Sequence, residues 1–160
     1  MTGDFGLRVR SGTALRRSVA LCAVALLAGC TDLRATFEIS SRTHTLSLIR
    51  VTGMPWEKTA KYSIVAARMP DCMRRHALPD AGLNTRIEVY APGNDAWILR
   101  QNGSMFVVET RTCEGFAKLD SIPEGGLGPL MGRFEMRADA LVFTAAPKAE
   151  NAPAAPSVAQ

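Results

Sequence analysis

The chain has 160 residues, 19 Lys and Arg against 15 Asp and Glu, a formal net charge of +4 and 47% hydrophobic residues. That length supports one domain, and 21% charged residues exclude wholesale disorder. No apolar run approaches the ~20 residues of a spanning helix, which excludes a polytopic membrane protein. A pI near 9.1 invites a nucleic-acid partner, but only the positions of the charges can support one.

At the amino terminus, Arg8, Arg10, Arg16 and Arg17 precede an apolar run over residues 19–27, closed by Ala28-Gly29-Cys30. A basic flank, a short apolar segment and small residues at its end make a secretory signal, too short to cross ~30 Å of hydrocarbon as a permanent helix. Leu27-Ala28-Gly29-Cys30 resembles the lipobox of bacterial lipoproteins, in which small residues precede an acylated cysteine. The resemblance implies cleavage after Gly29, diacylglyceryl attachment to the Cys30 thiol and acylation of the new amino terminus. In that family an aspartate directly after the cysteine favours the inner membrane of enteric bacteria. Here Thr31 holds that position and Asp32 follows, so the resemblance implies the inner leaflet of the outer membrane, facing the periplasm, in a Gram-negative host. Residues 1–29 carry four Arg and one Asp, so the processed chain keeps a net charge of only +1. The basicity is largely an export signal, and no nucleic-acid partner is expected.

Of four cysteines, Cys22 leaves with the signal and Cys30 takes the lipid. Cys72 and Cys113 remain, in a compartment where disulfides persist, and a bridge between them is expected. A thiolate metal site from Cys72, His76 and Cys113 lacks a paired C-x-x-C unit, so neither metal nor cofactor is expected.

Residues 31–35 read as a short tether between the lipidated Cys30 and a β-domain over residues 36–144. Residues 145–160 hold seven Ala and three Pro with nothing aromatic, a composition expected to form a disordered tail. Within the domain, period-two alternation dominates: Leu46/Leu48, Tyr62/Ile64/Ala66, Ile87/Val89 and Phe134/Met136 alternate mostly with polar neighbours. Asn102-Gly103 is the dipeptide of a type I′ turn and predicts a hairpin pairing Gln101 with Ser104, Leu99 with Phe106 and Trp97 with Val108. A second hairpin is expected at Ala138-Asp139-Ala140, joining Phe134 to Phe143. At most two short helices are expected, after Pro55 and over residues 71–77, where Asp71 is a capping residue. The fold class is mainly β, a small antiparallel β-sandwich or partly closed barrel of seven or eight strands.

Candidate sites follow from charge and loop composition. Arg68, Arg74, Arg75 and His76 surround a connection over residues 70–79, where guanidinium forks could hold phosphate or carboxylate. Leu127, Leu130 and Met131 lie in a glycine-rich loop over residues 121–132 that could dock a partner. This loop lacks the Lys-Ser/Thr of a phosphate loop. His44 falls on the Leu46/Leu48 face, and Trp56 is expected to cover an edge of the core. No catalytic motif is present: there is no G-x-S-x-G, no H-E-x-x-H and no free cysteine nucleophile. The expected function is a non-enzymatic, lipid-anchored envelope protein that binds a protein, lipopolysaccharide or peptidoglycan. The alternatives are an inhibitor or accessory subunit docking through the glycine-rich loop and, third, a hydrolase.

Overall fold

The computed structural model describes residues 31–147 apart from Pro55. The strands are β1 (Thr31–Ser41), β2 (His44–Thr52), β3 (Thr59–Arg68), β4 (Cys72–Gly82), β5 (Ile87–Gly93), β6 (Ala96–Gln101), β7 (Ser104–Glu109), β8 (Phe116–Leu119), β9 (Leu130–Arg137) and β10 (Ala140–Ala145). They form two antiparallel sheets, one in the order β1-β2-β3-β4 and one in the order β10-β9-β5-β6-β7-β8. The arrangement is sandwich-like and no barrel closes. Ten strands among the described residues replace the expected seven or eight, β4 occupying a segment expected as a connection, while β1 extends back over the expected tether.

The alternation seen in the sequence sets the core. Leu46, Leu48, Tyr62, Ile64 and Ala66 of the first sheet are buried with Ile87, Val89, Leu99, Phe106, Val108 and Phe134 of the second. Side chains of this size contribute about 1.5–3 kcal/mol each when fully removed from water. Phe37 joins the layers: its ring stacks on Phe143 at 4.6 Å and meets Trp97 edge-on at 5.5 Å.

Both hairpins form in the expected register. Asn102 and Gly103 take φ of 49° and 83°, the pair of positive values a type I′ turn requires, and Leu99 faces Phe106 while Trp97 faces Val108. Ala138, at φ 50°, turns the chain so that Phe134 faces Phe143.

Four expectations need correction. Residues 31–35 are no tether, because Thr31 pairs with Thr52 and Ala35 with Leu48. Ala35 is buried, and ladder bonds with β2 hold the segment extended. Residues 70–79 are neither a connection nor a helix but mostly strand β4, paired with β3 from Cys72 opposite Arg68 to Ala81 opposite Ala60. Pro79 is tolerated because β4 is an edge strand and a register irregularity falls beside it. Ala145 closes β10, and the Ala146 N–H donates to the Met131 carbonyl at 2.9 Å, so the start of the expected tail belongs to the sheet. Trp56 covers nothing: it is 76% exposed beside a turn in which Glu57 N–H donates to the Met54 carbonyl. The expected signal and lipidation site, residues 1–30, and residues 148–160 of the expected tail lie outside the described residues.

A disulfide joins Cys72, at the start of β4, to Cys113, in the connection after β7. It ties one sheet to the other across 41 positions of sequence. In the chain-entropy model a loop of that length is worth about 4 kcal/mol. Reduction, or Cys72→Ser with Cys113→Ser, is expected to lower the chemical-denaturation midpoint by a stability loss of about that size. An unchanged midpoint under reductant would remove the bridge as a main support of the fold.

Candidate functional site

Arg68, Arg74, Arg75 and His76 do not converge. Successive side chains of a strand leave on opposite faces, so Arg74 and Arg75 diverge. Arg74 reaches Glu114 at 3.2 Å, Arg75 Nε donates to Ser63 Oγ at 2.7 Å, and Arg68 is paired with Asp95. His76 stacks on Phe116 at 4.8 Å and its Nε2–H donates to the Cys113 carbonyl at 2.9 Å. Each of the four is engaged with a protein partner: Arg68, Arg74 and His76 reach across to the second sheet, and Arg75 bonds within its own.

The glycine-rich loop is similarly tied down. The Ala91 N–H donates to the Pro129 carbonyl at 3.0 Å, and Gly128 has φ +74° with no room for a side chain. A Cβ there would stand 2.2 Å from the Ala91 oxygen. Leu127 and Met131 are half-buried, and Leu130 is exposed at the first position of β9.

Near the disulfide, a polar network centres on Thr110, which is fully buried. Its hydroxyl donates to the Asp95 carbonyl at 3.1 Å and accepts from Trp97 Nε1 at 3.3 Å. His44 Nε2 lies 3.0 Å from the same oxygen, and Ser40 Oγ lies 3.2 Å from His44 Nδ1. A neutral ring protonated at Nδ1 donates to Ser40 Oγ and leaves Nε2 free to accept from Arg68 Nη2, 3.3 Å away. Burial lowers the His44 pKa, and the Arg68 guanidinium, 3.3 Å from Nε2, lowers it further, while Asp95 acts in the opposite sense. The network links β2 and β3 to the second sheet, and both histidine nitrogens serve it.

Cations do gather elsewhere, on the outward face of the six-stranded sheet. Glu88 of β5 sits between Arg133 of β9 and Arg100 of β6 in direct cross-strand register. Glu135 is buried and accepts from Arg133 Nε at 2.8 Å, Thr144 Oγ1 at 2.8 Å and Arg137 Nε at 3.2 Å. These donors, Arg133 foremost and then Thr144, hold its pKa down to about 2. Arg86 stands 3.7 Å from Glu135, and Arg100 stands 3.8 Å from Glu88. Both distances exceed hydrogen-bond length, and both guanidiniums are half or more exposed. Four arginines therefore share two carboxylates. Two of them are anchored to Glu135, while Arg86 and Arg100 stand farther from their carboxylates. A shallow hollow lies between these two, completed by Glu88, Asn102 and Gly103. Paired guanidinium forks at such a hollow are suited to phosphate or carboxylate oxygens.

The reading of the sequence missed this face. Arg133, Glu135 and Arg137 were visible as the wet side of a strand, but Arg86 and Arg100 join them only through the pairing of β5 with β9 and β6. Arg50 was also missed. It continues the inward Leu46/Leu48 alternation and is buried, where its Nη1 contacts Met136 Sδ at 3.4 Å and its Nε has no partner among the described residues.

No known family model, curated protein or solved structure significantly matches the chain.

The lowered pKa of His44 fixes a pH dependence. The unfolded imidazole takes up its proton near pH 6.5 and the folded one only at lower pH, so stability is full above that value and falls as pH drops through it. Melting temperature is expected to fall between pH 7.5 and about 5.5, and the fall should be smaller in His44→Gln. Equal slopes in the two proteins would show that His44 is not responsible.

Proposed function

We propose that the chain is a lipid-anchored, non-catalytic lipoprotein of the bacterial envelope, and that it binds a component carrying phosphate or carboxylate groups at the Arg86–Arg100 hollow. In this reading it is held at the inner leaflet of the outer membrane and its β-domain faces the periplasm. The observation that carries the binding reading is the gathering of four arginines around two carboxylates on one exposed sheet face. With residues 1–29 removed the chain is nearly neutral, so this is local concentration and not overall basicity.

Support for the anchor is the lipobox resemblance at Leu27-Ala28-Gly29-Cys30, and a disulfide suits an oxidising compartment. The non-catalytic reading draws on the histidines, whose positioned ring nitrogens are engaged with Ser40, Thr110 and Cys113. Ligands of the required chemistry in such an envelope are lipopolysaccharide phosphates, peptidoglycan carboxylates and acidic protein surfaces. The inhibitor reading, which depends on a free glycine-rich loop, gains nothing from a loop laid along β5.

Two measurements test the parts separately. Cys30→Ala should abolish incorporation of labelled fatty acid and leave the precursor uncleaved, whereas normal acylation or membrane attachment would refute the anchor. Hydrogen bonds to charged groups are each worth about 1.5–3 kcal/mol, so Arg86→Ala with Arg100→Ala should weaken retention on lipopolysaccharide or isolated peptidoglycan by about ten-fold or more. The loss should be greatest at low salt. Retention equal to that of the unaltered protein on both materials would overturn the binding site.

A further inference from the structure

We infer that the loop between β2 and β3 is a membrane-contacting element, with Met54 and Trp56 seated in the interfacial layer of the same bilayer that holds the Cys30 lipid. The inference rests on the anchor proposed above and adds a second contact to it.

The argument begins with register. Thr31 pairs with Thr52, so the residue that follows Cys30 and the last residue of β2 are neighbours across one strand spacing of about 4.8 Å. Residues 53–58 follow immediately. Met54 is two residues beyond Thr52 and Trp56 four, which places Trp56 within about 14 Å of chain from that pair. Acyl chains attached at residue 30 therefore bring the bilayer surface within reach of this loop. The exposed Met69 and Met73 lie at the opposite end of β3 and β4, beyond that reach.

The loop's side chains fit that surface. Met54 is 52% and Trp56 76% exposed, and the other tryptophan of the chain, Trp97, is buried. A tryptophan ring is apolar in its body and carries one N–H, the combination favoured at the headgroup boundary. The loop holds a formed turn: the Glu57 N–H donates to the Met54 carbonyl at 3.1 Å, and the Glu57 carboxylate accepts from the Gly53 N–H at 2.9 Å. Exposed charges beside it are balanced, with Asp32 and Glu57 against Lys58 and Lys61. Contact is therefore apolar in character and should not require anionic lipid.

The test uses the processed, lipidated protein reconstituted into phosphatidylcholine vesicles whose acyl chains carry bromine quenchers. Mass spectrometry of the same preparation reports the acyl groups on Cys30. A ring buried about 5–10 Å into the boundary should lose emission to the quencher. That loss should be present in the unaltered protein and absent from Trp56→Phe, which retains only Trp97. Acylated protein whose emission is quenched no more than that of Trp56→Phe overturns the loop contact and leaves the anchor standing. A preparation without acyl mass overturns the anchor and this inference together. Met54→Ser should reduce the quenching of Trp56 without altering the far-ultraviolet spectrum of the fold, and quenching unchanged by it would exclude Met54 from the contact.

Discussion

Ile87 sits opposite Phe134 and Glu88 opposite Arg133 because β9 returns to pair with β5, and most of the second sheet's character depends on that contact. On its inner side the pairing brings Phe134 to the core beside Ile87, where it meets Phe143 of β10 and, through Phe143, Phe37 of the first sheet. On its outer side the same backbone bonds align Glu88 and Glu135 with arginines of β6 and β9 and with Arg86, just before β5. A strand pairing has two faces with opposite demands. Here one face contributes burial, and the other gathers charge that sequence distance had kept apart.

The sandwich has different chemistry at its two ends. At one, the Cys72–Cys113 bridge, the Arg68–Asp95 pair and the Thr110 network link the two sheets. Among the buried side-chain polar atoms of the described residues there, Arg68 Nε has no partner. At the other end β1 begins, β2 closes at Thr52, and Arg50 lies buried against Met136. The apolar side chains of the β2–β3 loop are left in solvent there. Internal pairing is thus concentrated at one end and exposed apolar side chains at the other. The exposed arginine face is set on the six-stranded sheet, whose pairing fixes the cross-strand register of Arg100 and Arg133 about Glu88.

The strands were legible wherever alternation was clean. Leu46/Leu48 and Ile87/Val89 are buried on strands as their alternation implied, and the Asn102-Gly103 hairpin takes the expected register, because local side-chain period and turn chemistry decide them. Segments with weak local signals were misread. Thr31 to Ala35 carries no clean alternation and is extended because β2 offers it a ladder. Cys72-Met73-Arg74-Arg75-His76 has a capping aspartate before it and a proline after it, yet pairing with β3 and the bond to Cys113 keep it a strand. Tertiary hydrogen bonds outweighed a short helix that would have been marginal on its own.

The residues themselves carried a resemblance to a lipobox, the period-two alternation from which the core is built, and the Cys72 and Cys113 that the structure joins. Those are properties of neighbours in sequence, or of what is left after simple counting. Only the tertiary structure decided which charges meet. It separated Arg74 from Arg75 by the pleat of a single strand, and it brought Arg86, Arg100, Arg133 and Arg137 together through pairings between β5, β6 and β9. Cross-strand proximity is set by register between distant segments, and no local pattern in the chain encodes it.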